Sequence, residues 1–366
     1  MSVRRVMGIE TEYGIAEPVA APSAADRSPS AADGPPSVEQ LSQLIVSAYS
    51  RACADLGHMD DVSWDLAGDA PLHDPRHPEL STLPTPDEVA HAAPALRALG
   101  SRRPHALARL DDLERGWQRG TSKVLRNGAR LYVDHAHPEY AAPEALGPRE
   151  ALRYDLAGEA VMRRAMARAG VDRTGVDRAG PGPIVYKNNV DGKGAAYGCH
   201  ENYLVDRAVP FEDLVQVLVP FFVTRPVLVG AGRVGIGRES QRSGFQISQR
   251  ADYVEELVGR HTTYRRPIIN TRDEPHAEPR RHRRLHVIGG DANCAPAATL
   301  LKLGMTALVL WVVETGGVPD EWRDLALADP VAEVTRVSHD LTLAHRLELA
   351  DGRRLTALEI QRRYLG

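Results

Sequence analysis

The sequence predicts an α+β fold whose sheet is mostly antiparallel. Three observations carry that prediction. Short β-like runs dominate from Thr121 onward, helical stretches intervene there at only three places, and no repeat of fixed period is visible.

Arg5–Tyr13 reads as a strand, and Pro18–Pro36, rich in Ala, Ser, Pro and Asp, as a flexible loop. Ser37 followed by Gln40 forms a capping-box pattern ahead of Leu41, Leu44, Ile45 and Ala48, which recur at helical spacing. A helix over Ser37–Asp55 follows. Gly57–Pro86, rich in Pro, Asp and His, reads as irregular. Pro86-Asp87-Glu88 then opens one or two Ala- and Leu-rich surface helices reaching Trp117. Strands are expected at Ala129–Asp134, Ile184–Asn188, His200–Val205, Phe245–Arg250, Thr262–Arg272 and Arg284–Gly289. Helices are expected at Pro148–Ala169, Phe211–Val223 and Ala295–Thr315. Leu347–Thr356 reads as a hairpin around Ala350-Asp351-Gly352, and Ala357–Tyr364 starts a helix in which the sequence stops without a cap. That ending predicts a C-terminus cut short.

Composition narrows the function classes. The chain has 366 residues, enough for one large domain or two ordinary ones. Its 45 Lys+Arg against 49 Asp+Glu give a formal charge of −4, with no basic footprint for nucleic acid and no polybasic membrane anchor. Aromatic residues are 5%, too few for a base-stacking surface. Cys53, Cys199 and Cys294 are odd in number, widely spaced and without a C-x-x-C pair. They argue against a disulfide framework or structural zinc and fit a reducing cytoplasm, with Cys199 and Cys294 as small apolar fillers. The N-terminus turns polar by Glu10, without the apolar core of a signal peptide.

Residues two apart share a strand face. By that rule Glu10 and Glu12 face together, as do Arg130, Tyr132 and Asp134; His200 and Asn202; Gln246, Ser248 and Arg250; Asn270, Arg272 and Glu274; and Arg284 and His286. The opposite faces carry Ile9, Leu131, Val133, Ile247, Ile269, Leu285 and Val287. An ordinary solvated face would show Lys, Thr, Ser and mixed charges. Here it holds carboxylates, Arg, His and Tyr without lysine. Carboxylates with histidine suit a divalent cation. Arginines suit phosphate oxygens, which a guanidinium contacts bidentately.

The densest segment is Asn127–Tyr140, where Asp134 stands beside Arg130 and Tyr132 and Glu139 follows in a Pro-bent stretch. Such an aspartate can attack a carbonyl or phosphoryl group or act as a base. The plainer reading is a structural Arg130–Asp134 ion pair. His135 and His137 read as decoys, on the wrong alternation or in the bend. Gly230-Ala-Gly-Arg-Val-Gly235 matches G-x-G-x-x-G, but β-like sequence rather than a helix follows it. A Gly-rich turn is the better reading.

Met7–Gly14, Asn127–Tyr140, Tyr186–Tyr203, Ser248–Asp252, Ile268–His276 and Arg284–Asn293 together resemble the Pup ligase and depupylase family, related to glutamine synthetase and carboxylate–amine ligases. The resemblance covers about Val3–Tyr13 and Leu125–Leu365. It implies a glutamine synthetase-like curved antiparallel sheet packed with helices, within one catalytic domain over residues 1–366. It further implies an irregular insert at about 18–120 and absence of the family's small C-terminal domain. Asp134-His-Ala-His-Pro-Glu139, Val190–Gly194, Gly232–Gly237 and the insert with Trp64-Asp65 and Pro71-Leu72 resemble the depupylase branch.

By position the resemblance makes Asp134 the catalytic aspartate. It makes Glu10, Tyr132 and Glu139 magnesium ligands, with Glu12, His200 and His286 in the metal cluster. Arg130 and Ala142 become nucleotide contacts, and Arg250, Arg272 and Arg284 line the phosphate and substrate end. The implied activity uses ATP and Mg²⁺ to deamidate the C-terminal Gln of Pup and to cleave Pup–lysine isopeptide bonds, in a pathway linked to the bacterial proteasome. The implied partners are Pup and pupylated proteins, with no nucleic acid and no membrane. A ligase forming the bond through an acyl phosphate, and an inactive truncated binding protein, are the alternatives.

Overall fold

The computed structural model describes residues 4–17, 36–54, 122–174, 182–273 and 277–365. The strands and the helices longer than one turn run, in chain order: β1 (Met7–Glu12), β2 (Gly14–Ala16), α1 (Val38–Ala54), β3 (Ser122–Val124), β4 (Arg130–Asp134), β5 (His137–Ala141), α2 (Pro148–Thr174), β6 (Ile184–Tyr186), β7 (Cys199–Asp206), α3 (Phe211–Thr224), β8 (Arg233–Ile236), β9 (Arg242–Gln246), β10 (Val254–Gly259), β11 (Arg266–Asn270), β12 (His282–Val287), α4 (Pro296–Gly316), α5 (Pro330–His339), β13 (Arg346–Glu348), β14 (Arg354–Thr356) and α6 (Ala357–Leu365). The expected insert helices before Trp117, and the positions of Trp64, Asp65, Pro71 and Leu72, lie outside the described residues.

Alternation builds the central sheet. Its order is β12-β7-β1-β5-β4-β3, and every neighbouring pair is antiparallel. The α+β expectation is met. Among the described residues one parallel pair, β10–β11, stands in a separate two-stranded sheet. One face of the central sheet is covered by helices. Met7, Tyr203, Leu285 and Val287 pack in one core cluster with Leu218 and Phe221 of α3 and Leu303 and Leu310 of α4. Leu131 and Tyr140 pack in a second with Ile45 of α1 and Met162 and Ala165 of α2. Full burial of each large apolar side chain contributes roughly 1.5–3 kcal/mol, so the helices commit this face to the interior and leave the other for chemistry.

Polar groups on the covered face are paired. Glu201 of β7 is fully buried and takes both ends of the buried Arg225 guanidinium, at 2.7 and 2.9 Å. Tyr203 donates its hydroxyl to the same carboxylate at 2.6 Å, and Arg225 donates to Thr306 of α4 at 2.8 Å. Burial alone would raise the Glu201 carboxyl; the Arg225 charge holds it below the ordinary value.

Local signals were faithful at the helix start. Gln40 N–H donates to Ser37 Oγ at 3.2 Å and Ser37 N–H to Gln40 Oε1 at 2.8 Å, closing the capping box. The Gly-rich run forms the β8–β9 hairpin rather than a nucleotide-binding turn, with Gly232 and Gly235 at φ 76° and 94°. The strand expected over Phe245–Arg250 lies earlier, over Arg242–Gln246. β9 ends at Gln246, because the Asp291 carboxylate captures the Ser248 hydroxyl at 2.9 Å and the backbone N–H groups of Gln249 and Arg250 at 3.1 Å. Those donors then need no ladder partner. Conversely, β5 forms where the sequence predicts a Pro-bent segment. Pro138 is accommodated because its carbonyl carries the contact, accepting from Tyr13 N–H at 3.0 Å. Cys199 is buried as expected, whereas Cys294 is exposed and not a core filler.

Candidate active site

Strand register collects the ionisable residues on the sheet face opposite those helices. Glu10 of β1 pairs with His200 of β7 on one side and Ala141 of β5 on the other. Glu12 and Tyr132 both stand opposite Glu139, Arg130 opposite Ala141, and His286 opposite Asn202. Side chains at paired positions emerge on one face. Arg284 and His286, His200 and Asn202, Glu10 and Glu12, Glu139, and Arg130, Tyr132 and Asp134 therefore form adjacent columns across five strands.

Two donor clusters result. Glu10, His200 and His286 form one, and Glu12, Asp134 and Glu139 the other; within each, the candidate ligand atoms lie within 4.8 Å of one another. In the first, His200 Nδ1 lies 3.2 Å from one Glu10 oxygen, and the Asn202 amide donates to the other at 3.0 Å. With its NH₂ end committed to that carboxylate, Asn202 turns its carbonyl oxygen to His286 Nδ1 at 2.9 Å. A carbonyl only accepts, so His286 carries its proton on Nδ1. Its Nε2 is then a bare lone pair, buried and without a hydrogen-bond partner among the described residues. Burial, aided by the Arg284 charge, pushes the His286 pKa well below the ordinary value and keeps the ring neutral. A neutral imidazole oriented by a partner on its far nitrogen is the metal-binding form. Glu10 is a carboxylate throughout: burial works against ionisation, but the His200 hydrogen bond and Arg284 hold its pKa well down.

The second cluster is all oxygen. Burial, and the Asp134, Glu12 and Glu10 carboxylates around it, push the Glu139 pKa well up. The Tyr132 hydroxyl donates to Glu139 at 2.6 Å, and burial among these carboxylates keeps that phenol neutral. So much like charge in one place is relieved either by a proton on Glu139 or by a cation. Asp134 behaves differently from Glu139. Burial would raise it, but its hydrogen bond with His135 and the charges of His200 and Arg272 hold it below the ordinary value. The face thus offers an ionised carboxylate within an all-oxygen donor set, next to a mixed carboxylate–imidazole set.

The Pup-ligase protein family model matches residues 5–366. This chain belongs to that family. It is 46% identical to the depupylase of Acidothermus cellulolyticus over 99% of its own length and 63% of the relative's. It is 45% identical to the Pup deamidase/depupylase of Mycobacterium tuberculosis over 99% and 64%. With a Pup–protein ligase of a Nocardioides species the identity is also 45%, but over 68% of this chain and 54% of the relative. The chain thus spans less than two thirds of the length of these curated relatives. Among solved structures it is similar to the ligase PafA in complex with Pup, with TM-score 0.67 and 31% identity over 99% of this chain and 56% of that one. It is also similar to PafA in complex with ADP, with TM-score 0.59 and 41% identity over 66% and 52%. These neighbours support the glutamine synthetase-like α+β class for the family's sheet.

Most residues singled out through the family resemblance meet on this face, and three are placed differently. Arg250 lies off the sheet, buried, with its guanidinium donating to the carbonyls of Tyr197 and Ile288. It ties two loops together beneath the site. Ala142 follows β5 and gives its N–H to the Ile9 carbonyl at 2.9 Å, so only its small side chain and carbonyl can border a ligand. Arg272 lies past the end of β11 at Asn270, outside the central sheet and off the strand face expected for it; its charge still acts on Asp134, and its Nε is buried without a partner among the described residues. Arg284 donates to Asn202 at 3.4 Å, and Arg130 to Ser122 at 3.1 Å with its guanidinium 4.9 Å from the Tyr132 ring centre.

Two participants were missed. Asn202 was seen to share a face with His200, but only register shows that it bridges Glu10 and His286. His135, dismissed as a decoy, has its Nδ1 at 2.9 Å from Asp134. Gly198 borders the same face: a Cβ there would clash with His200 Nε2.

Proposed function

We propose that residues 1–366 carry the catalytic domain of an ATP- and Mg²⁺-dependent amidohydrolase that deamidates the C-terminal glutamine of Pup and cleaves Pup–lysine isopeptide bonds. Its partners are Pup and pupylated proteins in a cytoplasmic, proteasome-linked pathway. One observation carries the reading: an aspartate kept ionised within one of two neighbouring cation-donor clusters, in a chain 46% identical to a depupylase over 99% of its length, where a ligase of like identity matches over 68% and the PafA ligase matches over 99% at only 31%.

The residues fit the cations. The buried bare Nε2 of His286 and the crowded carboxylates are donors that a divalent metal satisfies. Glu10, His200 and His286 would hold one cation, and Glu12 and Glu139, with the neutral Tyr132 oxygen, another. Arg130, Arg272 and Arg284 would face the nucleotide phosphates, and Ala142 would border the nucleotide. When bound, the cations supply charge neutralisation and polarisation of the scissile carbonyl. Asp134 supplies the carboxylate that opens the amide, by attacking its carbon or by taking a proton from water. Arg272, beside Asp134, offsets the oxyanion charge that develops.

The test is mass spectrometry of Pup ending in glutamine, incubated with the chain, ATP and Mg²⁺. Replacement of NH₂ by OH is the expected change. Conjugation of glutamate-ended Pup to a lysine acceptor, with ADP release in step, would instead establish the ligase.

A further inference from the structure

We propose that His135 is the positioning residue for Asp134: its Nδ1–H fixes one carboxylate oxygen and leaves the other directed at the substrate. This rests on Asp134 being the catalytic carboxylate.

The turn between β4 and β5 has two residues, His135 and Ala136, closed by the Asp134–His137 pair. Both take positive φ, 43° and 72°. Two-residue turns with both residues left-handed favour Asn and Gly, whose side chains tolerate that region. Neither is present. Such strain persists only where the surroundings over-determine it, and it gathers at functional sites. Here the surroundings are visible. The strand ladder holds both ends, and Ser42 of α1, itself fully buried, donates its hydroxyl to the Ala136 carbonyl at 2.7 Å.

What the strained turn achieves is the contact at its first residue. His135 Nδ1 stands 2.9 Å from Asp134 Oδ2. A carboxylate only accepts, so the proton sits on Nδ1. The two side chains are 33% and 37% exposed, so the pair is open to solvent, where a peptide amide can reach the other Asp134 oxygen. A histidine serving only the turn would be bettered by glycine. One serving the carboxylate is kept despite the backbone.

Two measurements decide this. The first is long-range ¹H–¹⁵N correlation on full chain carrying ¹⁵N-histidine, with His135 assigned through His135→Asn. The proton is expected on Nδ1, and to leave it in Asp134→Ala; a bare Nδ1 in the parent chain overturns the proposal whether or not the chain turns over substrate. The second compares His135→Gly, which relieves the φ and removes the imidazole, with His135→Asn, which tolerates the φ and keeps a donor. Glycine is expected to hold or raise Tm while lowering kcat about 10- to 100-fold at unchanged KM for Pup, the usual effect of losing an orienting partner. Asparagine is expected to recover most of that loss. Parental kcat in the glycine variant sinks the positioning role. If the parent chain hydrolyses nothing, it is the function proposed above that fails, and the nitrogen spectrum still decides the contact.

Discussion

Removing Asn202 should disarm the histidine cluster without disturbing the sheet. Its amide donates to Glu10 at 3.0 Å and accepts from His286 Nδ1 at 2.9 Å. The first bond is to a charged group, worth about 1.5–3 kcal/mol, and the second is neutral, worth about 1 kcal/mol. Water entering the space left by Asn202→Ala recovers part of both. The residual loss falls on the orientation of Glu10 and His286, which matters when a metal binds. About 1.4–2.8 kcal/mol corresponds to a 10- to 100-fold weaker metal affinity. Titration of the chain with Mn²⁺ as a spectroscopic stand-in, followed by electron paramagnetic resonance, reads that affinity directly. Thermal unfolding without metal controls for folding. An Asn202→Ala affinity within twofold of the parent would falsify the orienting role.

Glu139→Gln should flatten a pH dependence. A carboxyl whose folded pKa is raised favours the folded state when protonated, so its contribution is present at low pH and is lost as pH rises from the ordinary carboxylate value through the raised one. The metal-free parent minus Glu139→Gln difference in Tm should therefore become more unfavourable to the parent as pH rises toward neutrality; a flat difference refutes it. The same variant should lose stabilisation by added Mg²⁺. Gly198→Ala drives a Cβ against His200 Nε2 and should destabilise by about 1–3 kcal/mol, read as a lower urea midpoint, while weakening metal binding. An unchanged metal affinity would show that the ring moves freely. Asp134→Asn should abolish Pup deamidation with circular dichroism unchanged; near-parental turnover would remove Asp134 from the chemistry.

Alternation was enough to find the face, because one residue in two must point at the helices and apolar residues mark which. Glu10, Glu12, Tyr132, Asp134, His200 and His286 were recoverable in that way. What alternation cannot supply is register between strands far apart in sequence, and Asn202 acquires its meaning only from standing opposite His286. It also fails where the backbone leaves strand geometry. Arg250 was assigned a face that ends at Gln246, because a carboxylate at Asp291, distant in sequence, had taken the backbone donors. His135 failed for the opposite reason: a turn residue with positive φ aims its side chain by rules that alternation does not contain.

The Glu201–Arg225 pair has a consequence for how this family can vary. Glu201 sits between His200 and Asn202 on the same strand, facing the other way, and it is locked to Arg225 and Tyr203. One ligand-bearing residue, His200, and the residue that orients two others, Asn202, are thereby gauged from behind by a carboxylate that no substrate reaches. Aliphatic replacement of that buried pair can preserve the melting temperature and yet let β7 shift along its ladder. The harm would appear in metal selectivity and turnover rather than in folding. Sequence drift on the hidden side of β7 is thus answerable to the tolerance of the site and not only to the stability of the core.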